Sequence, residues 1–275
     1  MEAKPFTSLP LNPALLQALD SLDFRLMTPI QAHSLPAMLQ GLDVIGQART
    51  GSGKTAAYAL GLLTHIDLLL PKTQALVLCP TRELADQIAK EIRRLARCLP
   101  NIKLTILSGG ISKRPQLASL EHDPHIVVGM AGRVLEHLEQ GTLKLDDLKV
   151  LVLDEADRML DSDFEEASRA IVDKAPKSRQ TLFFSATFPD AVRGLSRRLQ
   201  KQQRAVIIDG GTLSNFPVWL FDVDSPDQQL SRPTFGFTLT GGKGVGGGLN
   251  AAVARMPWAL RFGFDIFHTS QEAWD

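Results

Sequence analysis

The sequence predicts an α/β protein, a doubly wound parallel sheet with helices on both faces. Two observations predict it. Short stretches that are apolar throughout alternate with longer stretches of helical period, and strands covered on both faces read as continuous apolar runs. The second observation is the turn Ala48-Arg49-Thr50-Gly51-Ser52-Gly53-Lys54-Thr55, which joins the apolar stretch Leu42–Ile45 to the apolar run Ala56–Leu70. Strand, glycine-rich turn and helix in that order begin a βα unit. Folds built from such units bind ligands at the carboxyl ends of their strands.

Taken in order, Asn12–Leu22 places Leu15, Leu16, Leu19 and Leu22 at helical spacing. Pro29 opens a second helix through Leu39 with Thr28 as its N-cap, since proline suits a first helical position where no N–H is needed. After the glycine-rich turn and its helix, Ala75–Cys79 is a short apolar strand and Glu83–Leu99 an amphipathic helix. Leu104–Leu107 and Ile126–Gly129 read as strands, and Arg133–Gln140 as a helix. Strand Val150–Leu153, helix Phe164–Asp173, strand Thr181–Phe184, basic helix Asp190–Gln203 and strand Ala205–Ile208 complete the series. Past Asp209 the character changes: Trp219, Trp258 and Trp274 all lie there, glycine crowds 236–248, and the alternation stops. That glycine run lacks a Gly-Lys-Ser/Thr ending and an apolar strand before it, so it reads as a linker or tail rather than a second phosphate loop. The expected division is residues 1–40 as a helical extension, 41–209 as the α/β domain and 210–275 as an atypical Gly-rich tail.

The chain has 275 residues, 44% hydrophobic and 22% charged, with zero formal net charge. No global basicity announces nucleic acid, so such a site must be a local patch. Cys79 and Cys98 form no metal or redox spacing and read as two unpaired thiols. The start Met-Glu-Ala-Lys-Pro-Phe shows no charged-then-apolar signal pattern, and the longest apolar run is short of a membrane span. A cytoplasmic protein is expected.

The chemistry lies in two stretches. The turn 48–55 ends in Gly53-Lys54-Thr55, the ending of a phosphate-binding loop. Backbone N–H groups of Arg49, Thr50, Gly51, Ser52 and Gly53 can cradle phosphates, Lys54 can reach the outer ones, and the Thr55 hydroxyl can hold Mg²⁺. The strict pattern begins with Gly, and here that position is Ala48, which disfavours positive φ. The second stretch, Leu151-Val152-Leu153-Asp154-Glu155-Ala156-Asp157, is an apolar strand ending in adjacent carboxylates. Asp154 is placed to hold Mg²⁺ through water and Glu155 to deprotonate an attacking water. An acidic helix start is the alternative reading.

With both stretches placed, the chain resembles the amino-terminal RecA-like half of a DEAD-box ATP-dependent RNA helicase, over roughly residues 6 to 209. Asp154-Glu155-Ala156-Asp157 spells the family's name, and its loop commonly reads A-x-T-G-S-G-K-T, which accounts for Ala48. Phe24 with Thr28-Pro29-Ile30-Gln31 is similar to the Q motif, Phe6 to its upstream aromatic, Pro80-Thr81-Arg82-Glu83-Leu84 to motif Ia, Gly109-Gly110 to the GG element and Ser185-Ala186-Thr187 to motif III. The resemblance implies ATP and Mg²⁺ as cofactors and RNA as partner, gripped through sequence-independent backbone contacts by Pro80, Thr81, Arg82, Gly109, Gly110, Gly132 and Arg133. It implies adenine contacts by Gln31, Thr28 and Phe24, and coupling through Asp157, Ser185 and Thr187. Plainer roles stand beside these: core phenylalanines at Phe6 and Phe24, a helix-surface Gln31, an ion pair of Arg82 with Glu83 or Asp86, and a polar strand end at Ser185 and Thr187.

The sequence departs from the family's pattern in three places. Where the family usually has Thr-Pro-Gly-Arg, this chain has Met130-Ala131-Gly132-Arg133. A methionine offers phosphate only a weak acceptor, so a weaker RNA grip is expected there. Met27 replaces the usual proline before Thr28. Finally, nothing in residues 210–275 resembles the second RecA-like half, which in the family supplies an arginine finger and the far wall of the ATP cleft. A frame shift or gene fusion would produce such a break. The expectation is a chain that binds ATP and turns it over slowly, with a non-catalytic nucleotide- and RNA-binding fragment, or an ATPase acting on DNA, as alternatives.

Overall fold

The structure, a computed structural model, describes residues 4–159, 162–200, 204–208 and 236–237. The strands are β1 (Asp43–Gln47), β2 (Ala75–Leu78), β3 (Leu104–Leu107), β4 (Ile126–Gly129), β5 (Val150–Asp154), β6 (Gln180–Ser185), β7 (Arg204–Ile208) and β8 (Gly236–Phe237). They form one sheet in the order β3-β4-β2-β5-β6-β1-β7-β8, and every pairing is parallel. The helices are α1 (Pro13–Ser21), α2 (Pro29–Leu39), α3 (Lys54–His65), α4 (Arg82–Leu95), α5 (Arg114–Leu120), α6 (Ala131–Glu139), α7 (Ser162–Asp173) and α8 (Asp190–Leu199).

The apolar strands sort their side chains by the two-residue period of the pleat. Val44, Val77, Val128, Val152, Leu182 and Phe184 point into one core layer, shared with α1 to α4. Their neighbours Ile45, Leu76, Leu78, Val127, Leu151, Leu153 and Phe183 fill the opposite layer, against α6, α7 and α8. The sheet is thus covered on both faces, as the continuous apolar strands predict. Each fully buried Leu or Ile in these layers contributes about 1.5–3 kcal/mol relative to exposure.

Several expected boundaries shift, each for a local reason. The helix after the glycine turn stops at His65 rather than running on with the apolar stretch to Leu70. There Ile66 turns extended, Gln74 bonds the Asp67 N–H and carbonyl, and Leu69 is left 92% exposed. The helix expected over Glu83–Leu99 ends at Leu95 with Ala96 as C-cap. The basic helix expected to reach Gln203 ends at Leu199. Gln200 turns inward instead, its amide donating to Val44 O and Thr181 O at 2.9 Å each. Helix α5 was not expected at all, being short and opened by Arg114-Pro115 without an apolar stripe. The acids after β5 do not open an α-helix; Ala156–Arg158 is a single 3₁₀ turn. Beyond Ile208 the predicted tail lies outside the described residues, apart from the backbone of the two-residue strand β8.

Sheet order distributes the loops that matter. Along the carboxyl edge the loops after β3, β4 and β2 lie on one side, those after β6 and β1 on the other, and the loop after β5 lies between them.

Candidate active site

The site starts at the end of β1. Gly51 (φ +82°) and Gly53 (φ +92°) hold left-handed backbone, which side chains disfavour. At Gly53 space adds a second constraint, because a Cβ would lie 2.6 Å from Gln31 Nε2 and 3.0 Å from Thr28 Oγ1. Ala48 carries no such strain. It lies outside the positive-φ residues, is fully buried, and donates its N–H to Ser185 O at 3.1 Å. A small residue in ordinary backbone is all this position needs.

Lys54 opens α3 and is buried. Among the described residues it makes no hydrogen bond or ion pair, although its charge acts on Asp154. A buried ammonium in that state is costly unless an anion meets it. Asp154 ends β5, buried at 2% exposure. Its Oδ2 accepts the Tyr58 hydroxyl at 2.8 Å, and its Oδ1 accepts the Glu155 N–H at 2.9 Å. Burial raises the Asp154 pKa above the usual carboxylate range, against the opposing pull of Lys54 and these hydrogen bonds. Burial, with Asp154 beside it, likewise pushes the Tyr58 phenol up, and burial pushes the Cys79 thiol up to about 12. Cys79 is therefore an inert core thiol.

Glu155 sits at φ +54°, ψ 45°, a left-handed conformation that costs a non-glycine residue about 1–3 kcal/mol. Two bonds pin it there: its N–H to Asp154, and its carbonyl accepting the Arg158 N–H at 2.9 Å. Its carboxylate pairs with the exposed Arg158 at 3.1 Å.

The start of α2 forms the adjacent wall. Gln31 is buried; its Oε1 accepts the Thr28 N–H at 2.9 Å and its Nε2 donates to Gly53 O at 3.2 Å. This ties the α2 cap directly to the glycine loop. Thr28 and Gln31 stand in a capping-box arrangement, yet among the described residues Thr28 Oγ1, like Ser52 Oγ, is a buried polar atom without a hydrogen-bond partner within normal geometry. Phe24 is half-buried, with the Arg94 guanidinium 4.8 Å from its ring centroid.

These groups converge on one cavity of about 460 Å³, lined by Phe24, Thr28, Gln31, Lys54, Asp154 and Glu155 among others. Arg49 and Ser52 of the expected set are not part of its lining. Phe6 lines it too, while 97% hidden in the core, which is its plainer reading. Sequence reasoning missed the opposite wall, formed by Leu84, Gln87 and Glu91 of α4. With Arg94 they lie along one stripe at helical spacing, and that period was the available signal. Tyr58 was missed as well, though it lies one helical turn after Lys54 in an otherwise apolar helix.

Beyond the cavity, Asp157 joins the loops after β5 and β6. Its Oδ2 accepts the Thr187 hydroxyl at 2.7 Å and the Thr187 N–H at 2.9 Å, and its own N–H donates to Ser185 Oγ at 3.1 Å. Burial would raise the Asp157 pKa, but the bonds from Thr187 and Ser185 outweigh it and hold the group below its ordinary value.

The remaining motif residues gather at the carboxyl ends of β2, β3 and β4. Thr81 caps α4, accepting the Leu84 N–H at 3.2 Å. Arg82 is exposed and has no ion pair with Glu83 or Asp86 among the described residues. Gly109 and Gly110 follow β3, and Met130 and Gly132 open α6, Met130 without any side-chain cap bond. Arg133 is differently engaged. Its side chain is 11% exposed and pairs with Glu136 at 3.0 Å, and its guanidinium donates to Ile111 O at 3.4 and 3.5 Å. Lys113 pairs with the same Glu136. Arg133 is thus a brace between the loop after β3 and α6, leaving little of its charge free.

Fold and site together define a nucleotide-binding P-loop domain with paired acids at the end of β5, one strand removed from β1 across β6. The model of the DEAD/DEAH box helicase family matches residues 28–195, and the chain belongs to that family. It is 57% identical over 199 residues to the ATP-dependent RNA helicase DbpA of Escherichia coli K12, covering 72% of this chain and 44% of that protein. It is 44% identical over 203 residues to the ATP-dependent RNA helicase DeaD of Buchnera aphidicola subsp. Schizaphis graminum, covering 74% and 34%. Among solved structures, a DEAD box protein from the hyperthermophile Methanococcus jannaschii superposes with a TM-score of 0.71 at 35% identity, covering 76% of this chain and 56% of that one. Saccharomyces cerevisiae Dbp5 bound to RNA and ADP BeF3 superposes with a TM-score of 0.67 at 31% identity, covering 74% and 51%. The chain spans less than half the length of the two curated relatives named here.

Proposed function

We propose that this chain is the ATP-binding and hydrolysing half of a cytoplasmic DEAD-box RNA helicase, using ATP with Mg²⁺. The observation that carries the proposal is the buried Lys54, without a hydrogen bond or ion pair among the described residues, lining one cavity with Asp154 and Glu155 at the mouth of a glycine loop. The orphaned Ser52 and Thr28 hydroxyls and the glycine cradle suit a phosphate chain. Among the described residues no group of three or more His, Cys, Asp or Glu could hold a metal alone. A Mg²⁺ at Thr55 and Asp154 would therefore take its other ligands from phosphate and water. Among the described residues no helix is long and apolar enough to cross a membrane.

Held by Thr55 and Asp154, Mg²⁺ would supply positive charge to the outer phosphates. Backbone N–H groups of residues 49–53 and the Lys54 ammonium hold those phosphates in line. Glu155 takes the proton from a water whose oxygen forms the new bond to the γ-phosphorus, as the bond to the bridging oxygen breaks. Gln31 keeps one amide hydrogen and one lone pair beyond its internal bonds, enough to read the adenine edge, with Phe24 against its face. Thr81, the exposed Arg82, and backbone N–H groups near Gly109, Gly110 and Gly132 grip RNA phosphates, with Pro80 beside them and Arg133 bracing the loops. The Asp157–Ser185–Thr187 bonds link that side of the edge to the nucleotide.

A second reading follows from the length comparison: the 275 residues act as a nucleotide- and RNA-binding fragment. An arginine finger is worth about 10³–10⁵ in rate, and residues 210–275 carry no motif that would supply one. ATP turnover of the purified chain, with and without RNA and beside Lys54→Ala, tests both readings. Slow turnover abolished by Lys54→Ala is expected. Turnover equal in the variant would overturn hydrolysis and leave the fragment reading, and stimulation by DNA equal to that by RNA would overturn the nucleic-acid assignment.

A further inference from the structure

We infer that Tyr58 is a positioning residue for the metal-holding carboxylate. The inference rests on the proposed role of Asp154 and Thr55 in holding Mg²⁺ with the nucleotide. Tyr58 lies one helical turn after Lys54, and its whole side chain is buried. Its hydroxyl donates to Asp154 Oδ2 at 2.8 Å across 96 residues of sequence. The Thr55 hydroxyl acts on the same phenol. The phenol therefore bonds one of the two side chains assigned to the metal and is influenced by the other.

The ring is held independently of that bond. Its centroid lies 5.4 Å from that of Phe184, tilted by 50°. Phe184 is seated where only a glycine fits beneath it, since a Cβ on Gly46 would lie 2.4 Å from its ring. Tyr58 thus sits in a frame built by α3, β1 and β6. With Oδ2 bonded to Tyr58 and Oδ1 to the Glu155 N–H, both oxygens of Asp154 are fixed in direction. Each carboxylate oxygen retains a lone pair for a metal-bound water. Hydrogen-bond partners behind a ligating carboxylate typically change metal affinity by about 10–100-fold when removed.

The test is Tyr58→Phe in the full chain, which keeps the ring and its packing. Binding of a fluorescent ADP analogue is measured in EDTA and across a Mg²⁺ titration. The expected result is a loss of about tenfold or more in the Mg²⁺ enhancement of nucleotide affinity, with metal-free affinity unchanged. In an Asp154→Asn background the same substitution should have no further effect on that enhancement, because the two side chains act as a unit. Equal losses with and without Mg²⁺, or an undiminished effect in Asp154→Asn, would mean a purely structural tyrosine and overturn the inference. A wild-type chain whose nucleotide binding ignores Mg²⁺ would instead remove the underlying reading of Asp154 and Thr55, and this inference with it.

Discussion

At Gly53 two demands meet in one residue. Its left-handed backbone would cost an alanine about 1–2 kcal/mol, and the added methyl would displace the Gln31 amide 2.6 Å away. Gly53→Ala should therefore lower unfolding free energy by at least about that amount in urea titration and weaken nucleotide binding. A variant as stable as wild type would show that the Gln31 contact yields freely. Lys54→Ala removes a charge-assisted contact, and about 10–100-fold of ATP affinity should go with it, given 1.5–3 kcal/mol per charged hydrogen bond. Glu155→Gln keeps the size and the left-handed backbone but removes the base. Nucleotide affinity should hold while turnover falls by about 10²–10⁴, and parallel losses of both would argue for a structural Glu155. That Lys54, Asp154 and Glu155 would lie together at strand ends was legible in the sequence, because each closes a local strand-and-turn pattern, and all three line one cavity. Tyr58 and Arg94 were not, because their partners lie far along the chain or on a helix whose facing depends on packing.

Among the elements, α6 shows what one substitution does. Met130 is its N-cap and closes no side-chain bond to the first turn, where a threonine would accept one of the orphan N–H groups. Met130→Thr should raise stability by about 0.5–2 kcal/mol, read as a higher urea midpoint at unchanged slope. If RNA binding also strengthens in the same variant, the weak grip expected from the sequence lies at this cap. Stability without tighter RNA binding would assign the deficit elsewhere. Boundaries were the part of each element the sequence conveyed least well. His65 and Leu199 end their helices because Gln74 and Gln200 reach across to other segments, and no local propensity announces such reaches.

For the molecule as a whole, acid sensitivity is a readable consequence of burial. His125 and His137 are both buried, and among the described residues the Nε2 of His137 has no partner. Burial depresses the pKa of each below 6.5, with the charges of Lys103 at His125 and Arg133 at His137 acting the same way. The folded state therefore binds fewer protons than the unfolded chain, and stability present above the unfolded value is lost as pH falls below it. Melting temperature should drop between about pH 7.5 and about pH 5.5, each kcal/mol lost appearing as about 2–4 °C in a chain of this size. His137→Leu should flatten part of that slope, and a slope unchanged in the variant would exclude His137 as a source. Asp157 acts in the same direction in a more acid window. Its depressed pKa contributes stability above the unfolded carboxylate value that is lost only as pH falls through the lower, folded one.

The sequence by itself determined the fold class, the order of the strands from β1 to β7 and the residues at the strand ends. Apolar strands, helical periods and glycine turns are local patterns, each written within a few residues of its consequence. Tertiary structure alone decided which loops meet. The order β3-β4-β2-β5-β6-β1 sets the acids of β5 between the glycine loop and the loops after β2, β3 and β4, and it brings Tyr58 to Asp154 and Thr187 to Asp157. Those contacts depend on the packing of helices across a twisted sheet, where the free energy of burying whole faces selects one arrangement that no short stretch of sequence encodes.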